Sequence, residues 1–319
     1  MKYLAAGALA VLTVPLWCVA QTYPNRPLRI VVPFAPGSSP DTLARIIGNK
    51  LLDQLGQQVI VDARPGASGV IAVDIARNAV PDGYTMLLGG TTHFATLSAL
   101  KAKLPYDFDR EFLSLTRVAS VSNVVIVHPS LGVNTISDLV KLAKARPGQL
   151  NFGSSGNGSA PHLAGEMFNV LAGVQTTHVP YKGSVLALND LIAGQIQYSM
   201  TSPVAVMPHA KSGRFKVIAT TGAKRDPFLP DVPAVAETIP GFEITLWWGM
   251  AVPAKTPAPI VRTLHGELVK ALQSSDVREL LARQNAMTHA ESPAEFAAFI
   301  KAERERIARI GRQVGITLD

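Results

Sequence analysis

Cysteine is almost absent from this sequence: Cys18 is the single one among 319 residues. It lies in an apolar N-terminal stretch, directly after Trp17, where a lipid-modified N-terminus would need a small residue. The stretch follows one positive charge at Lys2 and is short for a membrane span. We therefore predict that residues 1–20 are a cleavable secretory signal peptide, with a retained N-terminal anchor as the alternative. A mature chain without cysteine excludes disulfides and thiol chemistry.

Charged residues are also sparse, at 17% of the chain, and aromatic residues make up 6%. With 47% hydrophobic residues, this is the composition of a compact globular protein and not of a disordered or coiled-coil chain. The net charge of +7 comes from basic residues spread along the chain, and the densest group, at 301–312, alternates with acids as on a solvated helix face. Without a basic patch, nucleic acid is not expected as a partner, whereas a modest positive charge suits small anionic ligands.

Patterns for metals and cofactors are lacking as well. The seven histidines are scattered, and none forms H-x-x-x-H or H-E-x-x-H. Gly156 and Gly158 form G-x-G, but Pro161 stands where the dinucleotide fingerprint needs its third glycine. No Walker G-K-[ST] and no G-x-S-x-G elbow occurs. We therefore expect no metal and no cofactor, while a catalytic triad assembled only in space stays open.

Apolar runs of strand length alternate with helical stretches, which predicts an α/β fold with largely parallel sheets. Each half of the chain repeats the order strand, Gly/Ser loop, helix, which predicts two α/β domains facing each other across a ligand cleft. The long β-rich runs at 117–127 and 243–252 are candidate crossovers. We place domain 1 at 21–122 plus 247–319, and domain 2 at 123–246.

Two strand–helix junctions are candidate anion sites. The first, "PFAPGSSPD" at 33–41, places Gly37, Ser38 and Ser39 before a helix that begins near Pro40 and Asp41. The second, "FGSSGNGS" at 152–159, has three glycines and four hydroxyl or amide side chains in eight residues. Glycines allow positive φ and close ligand approach, and N–H groups at helix starts favour a carboxylate or phosphate. For the second loop, a plain tight turn is the alternative.

Further candidates lie at other strand ends. His93, in "TTHF", can donate to a carboxylate, although a surface or core-edge histidine is equally expected. Thr201 and Ser202 end a strand that carries no acid. Lys182 is expected to be solvated. Trp247 and Trp248 lie on the second crossover, and core packing is the more common fate of tryptophan.

Segments such as "YPNRPLRIVVPFAPGSSPDTLAR", "ARPGQLNFGSSGNGSAPHLAGEMF" and "HVPYKGSVLALNDLIAGQI" follow one another over most of the mature chain. Together they resemble the Bug family, the periplasmic solute-binding proteins of tripartite tricarboxylate transporters. The resemblance implies a two-domain periplasmic-binding-protein fold of type II, a "Venus flytrap" with its ligand cleft between the domains. It also implies a small organic carboxylate as ligand, and no catalytic role.

In this family the two loops face each other and hold a ligand carboxylate. Carried onto this chain, the two loops are residues 37–41 and 154–159, so the resemblance implies ligand contacts at Gly37, Ser38, Ser39, Asp41, Ser154, Ser155, Gly158 and Ser159. We add Thr92, His93, Thr201 and Ser202 as candidate donors to a second carboxylate, and Phe34 as a candidate aromatic contact. Two departures stand out. Serines replace the family's usual second glycine after Gly37, which adds hydroxyl donors. No acid occurs near Thr201, where some members carry an Asp, so an amino-acid ligand is disfavoured. Phe34, Phe94 and the tryptophans permit an aromatic spacer.

We therefore expect a monomeric periplasmic receptor that binds a mono- or dicarboxylate, including aromatic diacids of the phthalate type such as terephthalate. It would deliver this ligand to membrane transporter subunits. Two alternatives remain. One is a secreted serine hydrolase that pairs a serine with a histidine. The other is a ligand-sensing receptor of the same fold, which engages a signalling partner instead of a transporter.

Overall fold

The computed structural model describes residues 23–101 and 103–316. The predicted signal peptide and Cys18 therefore lie outside the described residues, and the signal peptide stays a prediction. Among the helices in the described ranges, none has both the length and the apolar character that a membrane span requires.

The described residues form two mixed sheets, whose strands we number in chain order. The strands are β1 (Leu28–Val32), β2 (Val59–Ala63), β3 (Thr85–Gly90), β4 (Phe112–Ser122), β5 (Val124–Val127), β6 (Asn151–Ser154), β7 (Thr177–Pro180), β8 (Tyr198–Thr201), β9 (Lys216–Thr220), β10 (Thr245–Pro253) and β11 (Met287–Thr288). The first sheet has the order β11-β4-β10-β3-β1-β2, and the second has the order β7-β6-β8-β5-β9.

The prediction of largely parallel sheets is wrong for the strands that connect them. β1 pairs parallel with β2 and β3, and β6 pairs parallel with β7 and β8. In contrast, β10 runs antiparallel to β3 and β4, and β5 runs antiparallel to β8 and β9. The chain passes from β4 of the first sheet into β5 of the second, and from β9 of the second sheet back into β10 of the first. The antiparallel pairs of β5 and β10 therefore lie where the chain crosses between the sheets. The exact domain boundaries stay a prediction.

The helices cover both faces of each sheet. They are α1 (Ser39–Leu55), α2 (Val70–Arg77), α3 (Leu97–Leu100), α4 (Phe108–Glu111), α5 (Ile136–Ala145), α6 (Ala160–Ala172), α7 (Ser184–Ile192), α8 (Pro203–Val206), α9 (Ala258–Gln273), α10 (Ser275–Ala282) and α11 (Pro293–Val314). Ser274 lies between α9 and α10, and Ser292 forms a capping box with Glu295 at the start of α11.

Three clusters of buried apolar residues form the core. One packs α1, α9 and α10 against the first sheet. A second joins both sheets, because it contains apolar residues of α2 and α11 together with those of α5 and α6. A third packs α7 against the other face of the second sheet. α11 is not simply a solvated face: the indole N–H of Trp247, which is fully buried, donates to Glu303 Oε2 at 3.2 Å.

Candidate functional site

A cavity of about 640 Å³ lies between the two sheets. Residues at and just beyond the carboxyl ends of β1 and β3, together with the start of β10, form one wall. Residues at and just beyond the ends of β6 and β8, and the residues between β7 and α7, form the other. Nine of the residues expected at the ligand line it: Phe34, Gly37, Ser38, Ser39, Thr92, Ser155, Ser159, Thr201 and Ser202.

The cavity wall favours negative charge. Among the described residues that line it, none is acidic, and Lys182 is the one charged side chain. Asp41, expected at the ligand, is 2% exposed, and its Oδ2 accepts hydrogen bonds from Gly37 N at 2.9 Å and from Arg45 Nε at 3.0 Å. Burial works against its ionisation, but the hydrogen bonds from Arg45 and Gly37 outweigh burial and hold the pKa of Asp41 below its usual value. Asp41 therefore fixes the conformation of the first loop through Gly37 and does not line the cavity.

Three hydroxyls at the cavity have no partner in the described protein. Ser38 Oγ, Thr201 Oγ1 and Ser202 Oγ are shielded from bulk solvent and form no hydrogen bond. Ser38 stands at the N-cap of α1 but makes no side-chain cap bond. Because buried polar groups almost always have a partner, these hydroxyls are suited to bind atoms of a molecule that enters the cavity.

His93 holds loops of the first wall together. Its Nδ1 accepts a hydrogen bond from Gly90 N at 3.2 Å, and the ring also bonds to the backbone of Ser68. Burial, the main cause, lowers the pKa of His93 to about 4, so the imidazole is neutral near pH 7. Its carbonyl accepts from Tyr106 Oη at 2.8 Å. His93 lines a smaller pocket beside the cavity, and this geometry does not favour the expected donation to a ligand carboxylate.

A single π-helical turn, Thr92–Thr96, carries His93 and leads directly into α3. Thr91 stands at the N-cap of this turn but makes no side-chain cap bond. Such π turns are frequent at functional sites because they re-aim side chains within a helix. Here the turn brings Thr92 to the cavity.

Ser154 holds the second loop in place through its side-chain hydrogen bonds. Its Oγ lies 2.6 Å from His178 Nε2 and accepts from Gly156 N at 3.1 Å. The pair resembles a nucleophile with its base, but Ser154 is 1% exposed and is engaged by its own loop. Burial, followed by the neighbouring His162, lowers the pKa of His178 to about 4. In the described ranges no carboxylate forms a hydrogen bond with His178, as a hydrolase triad would need.

The rest of the loop is held by the start of α6. Gly158 N donates to His162 Nδ1 at 3.1 Å, and the His162 and His178 rings stack with centroids 3.9 Å apart. Ser159 Oγ donates to Gly156 O at 2.6 Å and accepts from His162 N at 3.4 Å, which makes it the N-cap of α6. Gly158 and Ser154 thus set the shape of the loop, while Ser155 and Ser159 reach the cavity wall.

Several wall residues were missed or undervalued by sequence reasoning. Lys182, expected to be solvated, is exposed but also lines the cavity, together with Val185 and Leu186. The signal was present, because "YKGS" repeats the pattern of a strand followed by small residues and a helix. Of the two tryptophans, Trp247 packs into the core and Trp248 lines the cavity, as adjacent residues on a strand point to opposite faces.

Comparison with known proteins identifies the family. Residues 43–316 match the model of the tripartite tricarboxylate transporter family receptor. The chain belongs to this family. The predicted resemblance is thereby confirmed, and with it the two-domain α/β fold. Receptors of this family are periplasmic solute-binding proteins and not enzymes, so the hydrolase alternative is not retained.

Individual receptors of known sequence or structure are similar over nearly their whole length. Protein BugT of Bordetella pertussis is 35% identical over 301 residues, which cover 94% of this chain and 92% of BugT. The Rhodopseudomonas palustris protein Rpa4515, solved with adipate, is 34% identical with a TM-score of 0.85, covering 92% of this chain and 99% of that one. MatC of R. palustris, solved with malate, is 30% identical with a TM-score of 0.79, covering 90% and 99%.

Proposed function

We propose that this receptor captures a small organic mono- or dicarboxylate in the periplasm and delivers it to the membrane subunits of a tripartite tricarboxylate-type transporter. The observation that carries the proposal is the cavity wall, which combines unpartnered buried hydroxyls with the absence of acidic side chains among its described residues. Such a wall attracts an anion that accepts hydrogen bonds. In our proposal the receptor acts as a monomer.

The carboxylate would be gripped between two helix starts from opposite domains. The loop Gly37–Ser39 precedes α1, and Ser155 and Ser159 precede α6. Helix N-termini present free N–H groups and a partial positive charge. Further contacts would come from the cavity-lining residues Phe34, Thr92, Thr201 and Ser202. In this proposal Asp41, His93, Ser154 and Gly158 position the loops and do not touch the ligand.

Binding of this kind needs no catalytic chemistry. Micromolar affinity corresponds to about 8 kcal/mol. Hydrogen bonds to a charged group contribute roughly 1.5–3 kcal/mol each, and a helix terminus contributes roughly 0.3–2 kcal/mol. A few such contacts can offset the free-energy cost of ordering the ligand and closing the domains.

The ligand would have an apolar body. Phe34, Leu246 and Trp248 line the cavity, and among the described lining residues there is no acidic side chain for a ligand amino group. Relatives were solved with adipate and with malate, which supports a carboxylate of this size. The aromatic lining extends the proposal to aromatic diacids of the phthalate type, including terephthalate.

Thermal unfolding of the mature protein with a panel of aliphatic and aromatic carboxylates tests the proposal. At a concentration a hundredfold above Kd, a true ligand stabilises the folded state by about 2.7 kcal/mol, a shift of several degrees. A panel without any shift contradicts carboxylate capture. Pull-down of the liganded receptor from membranes then separates transport from signalling, because a sensor protein in place of transporter subunits would favour the signalling alternative.

A further inference from the structure

Two helices of the second domain, α6 and α7, begin at the same cavity, and they pack on opposite faces of the second sheet. α6 packs on the face that carries Phe152 and Tyr198. α7 packs on the other face, where Val124 contacts the cluster that contains Ala187 and Leu188. Wall residues come from the first turns of both helices. A ligand in the cavity therefore meets two separate sites for negative charge on one domain.

Thr201 lies on the α7 face. It is paired with Val124 in the antiparallel ladder between β5 and β8, and residues directly opposite each other share a face of the sheet. Thr201 is 4% exposed, and its Oγ1 has no hydrogen-bond partner in the described protein. An unpartnered buried hydroxyl thus lies on the side of the cavity where α7 begins.

The start of α7 lacks the side-chain cap that is found at the start of α6. Ser159 caps α6, whereas Gly183, the N-cap of α7, makes no side-chain cap bond. Lys182 directly precedes this helix start and forms no ion pair or hydrogen bond with any described residue. An ammonium group, uncapped N–H groups and an unpartnered hydroxyl therefore line the same wall of the cavity, and these are the kinds of donor that bind a carboxylate.

An apolar surface adjoins this donor set. Val185 and Leu186, in the first turn of α7, are 63% and 48% exposed and line the cavity. Leu246 and Trp248 of β10, a strand of the first sheet, line it from the opposite wall. Large apolar side chains exposed together in a ligand cleft favour contact with an apolar part of the ligand.

We propose that Lys182, the first turn of α7 and Thr201 form a second anion subsite, so that the ligand carries two carboxylates separated by an apolar body. This inference rests on the proposed function, since the first carboxylate is held by the loops before α1 and α6. Lys182 is then a specificity residue that distinguishes diacids from monoacids.

Calorimetric titration of the mature receptor with matched pairs of acids tests the subsite. The pairs are adipate with hexanoate, and terephthalate with benzoate, which differ by one carboxylate on the same body. We expect at least one diacid to bind about tenfold more tightly than its monoacid, because a carboxylate in a partly enclosed cavity is attracted more strongly than in bulk water. Lys182→Gln should weaken the diacid by about tenfold and leave the monoacid within about twofold.

Lys216→Gln is the matched control. Lys216 begins β9 at the end remote from Thr220, and its ammonium donates to Asn134 Oδ1 at 2.8 Å. The Lys216→Gln variant removes one positive charge, as Lys182→Gln does, but the changed residue does not line the cavity. It should therefore leave the affinities for the diacid and for the monoacid unchanged. Added salt should weaken diacid binding more in the wild type than in Lys182→Gln, because the variant lacks the ammonium charge that salt screens.

The outcomes separate this inference from the function on which it rests. Equal binding of diacid and monoacid, or an equal loss of both in Lys182→Gln, overturns the second subsite but leaves carboxylate capture intact. A loss in Lys216→Gln as large as that in Lys182→Gln overturns it as well, because the effect would then be general charge. Absence of binding by all four acids contradicts both proposals.

Discussion

Replacing Thr201 by valine should make the empty receptor more stable and the ligand complex weaker. The change exchanges a hydroxyl for a methyl group and keeps the β-branch that suits a strand. In the ligand-free protein Thr201 Oγ1 is buried without a partner, a state that costs about 1–3 kcal/mol. Taking the lower end, Thr201→Val should stabilise the empty fold by about 1 kcal/mol and raise its unfolding midpoint by about 2 °C.

Ligand affinity should move in the opposite direction. A hydrogen bond to a carboxylate is worth roughly 1.5–3 kcal/mol, so its loss should raise the Kd for a bound diacid by about tenfold or more. The two effects are measured separately, by thermal unfolding without ligand and by calorimetric titration with the acid that shifts the wild-type midpoint most.

Thr116→Val is the matched control. Thr116 is also buried in a strand, but its hydroxyl donates to Arg117 O at 3.1 Å. Thr116→Val should therefore destabilise the fold and leave affinity unchanged. If Thr201→Val destabilises the empty protein as Thr116→Val does, and binds ligand as the wild type does, then the Thr201 hydroxyl has a structural partner and our reasoning is refuted.

Three further predictions concern the first wall. Ser38→Ala should weaken carboxylate binding about tenfold without lowering the unfolding midpoint, because its hydroxyl is unpaired in the protein; unchanged affinity in calorimetry would show that Ser38 does not bind the carboxylate. Gly69→Ala should destabilise the fold by more than about 1 kcal/mol, since φ is 85° and a Cβ would meet His93 Nε2 at 2.0 Å; an unchanged denaturation midpoint would contradict this. The free energy of unfolding should fall as the pH drops from about 6.5 to about 4, because burial lowers the pKa of His93 to about 4 and the unfolded chain binds its proton first. The slope of this free energy against pH should be smaller in His93→Asn than in the wild type. An equal slope would argue against a buried neutral imidazole.

Local sequence was sufficient to find the two loops of the candidate site. The stretches around Gly37–Ser39 and 152–159 combine small residues with an oncoming helix, and both lie at the cavity in the structure. The start of α11 depends on equally local features, since its capping box joins Ser292 to Glu295, three positions further along the chain. Such features are readable because the atoms involved are neighbours along the chain.

Which side chains line the cavity with unpaired donors could not be predicted in the same way. Asp41 and His93 have the right chemistry, but the structure gives them backbone partners, Gly37 for the first and Gly90 with Ser68 for the second. Lys182 seemed merely solvated, yet the pairing of β7 with β6 brings it to the cavity. A donor is available to a ligand only if no protein group has taken it, and that depends on the packing around it.

The sequence by itself determined the alternation of strands and helices, the two small-residue loops and the resemblance to a family of carboxylate receptors. Only the tertiary structure shows that both sheets are mixed, that Trp247 packs into the core while Trp248, which is 6% exposed, lines the cavity, and that α6 and α7 begin at one cavity. The physical reason is that strand order and helix packing join residues far apart in the chain. A cavity lined at six strand ends exists only after those ends have been brought together.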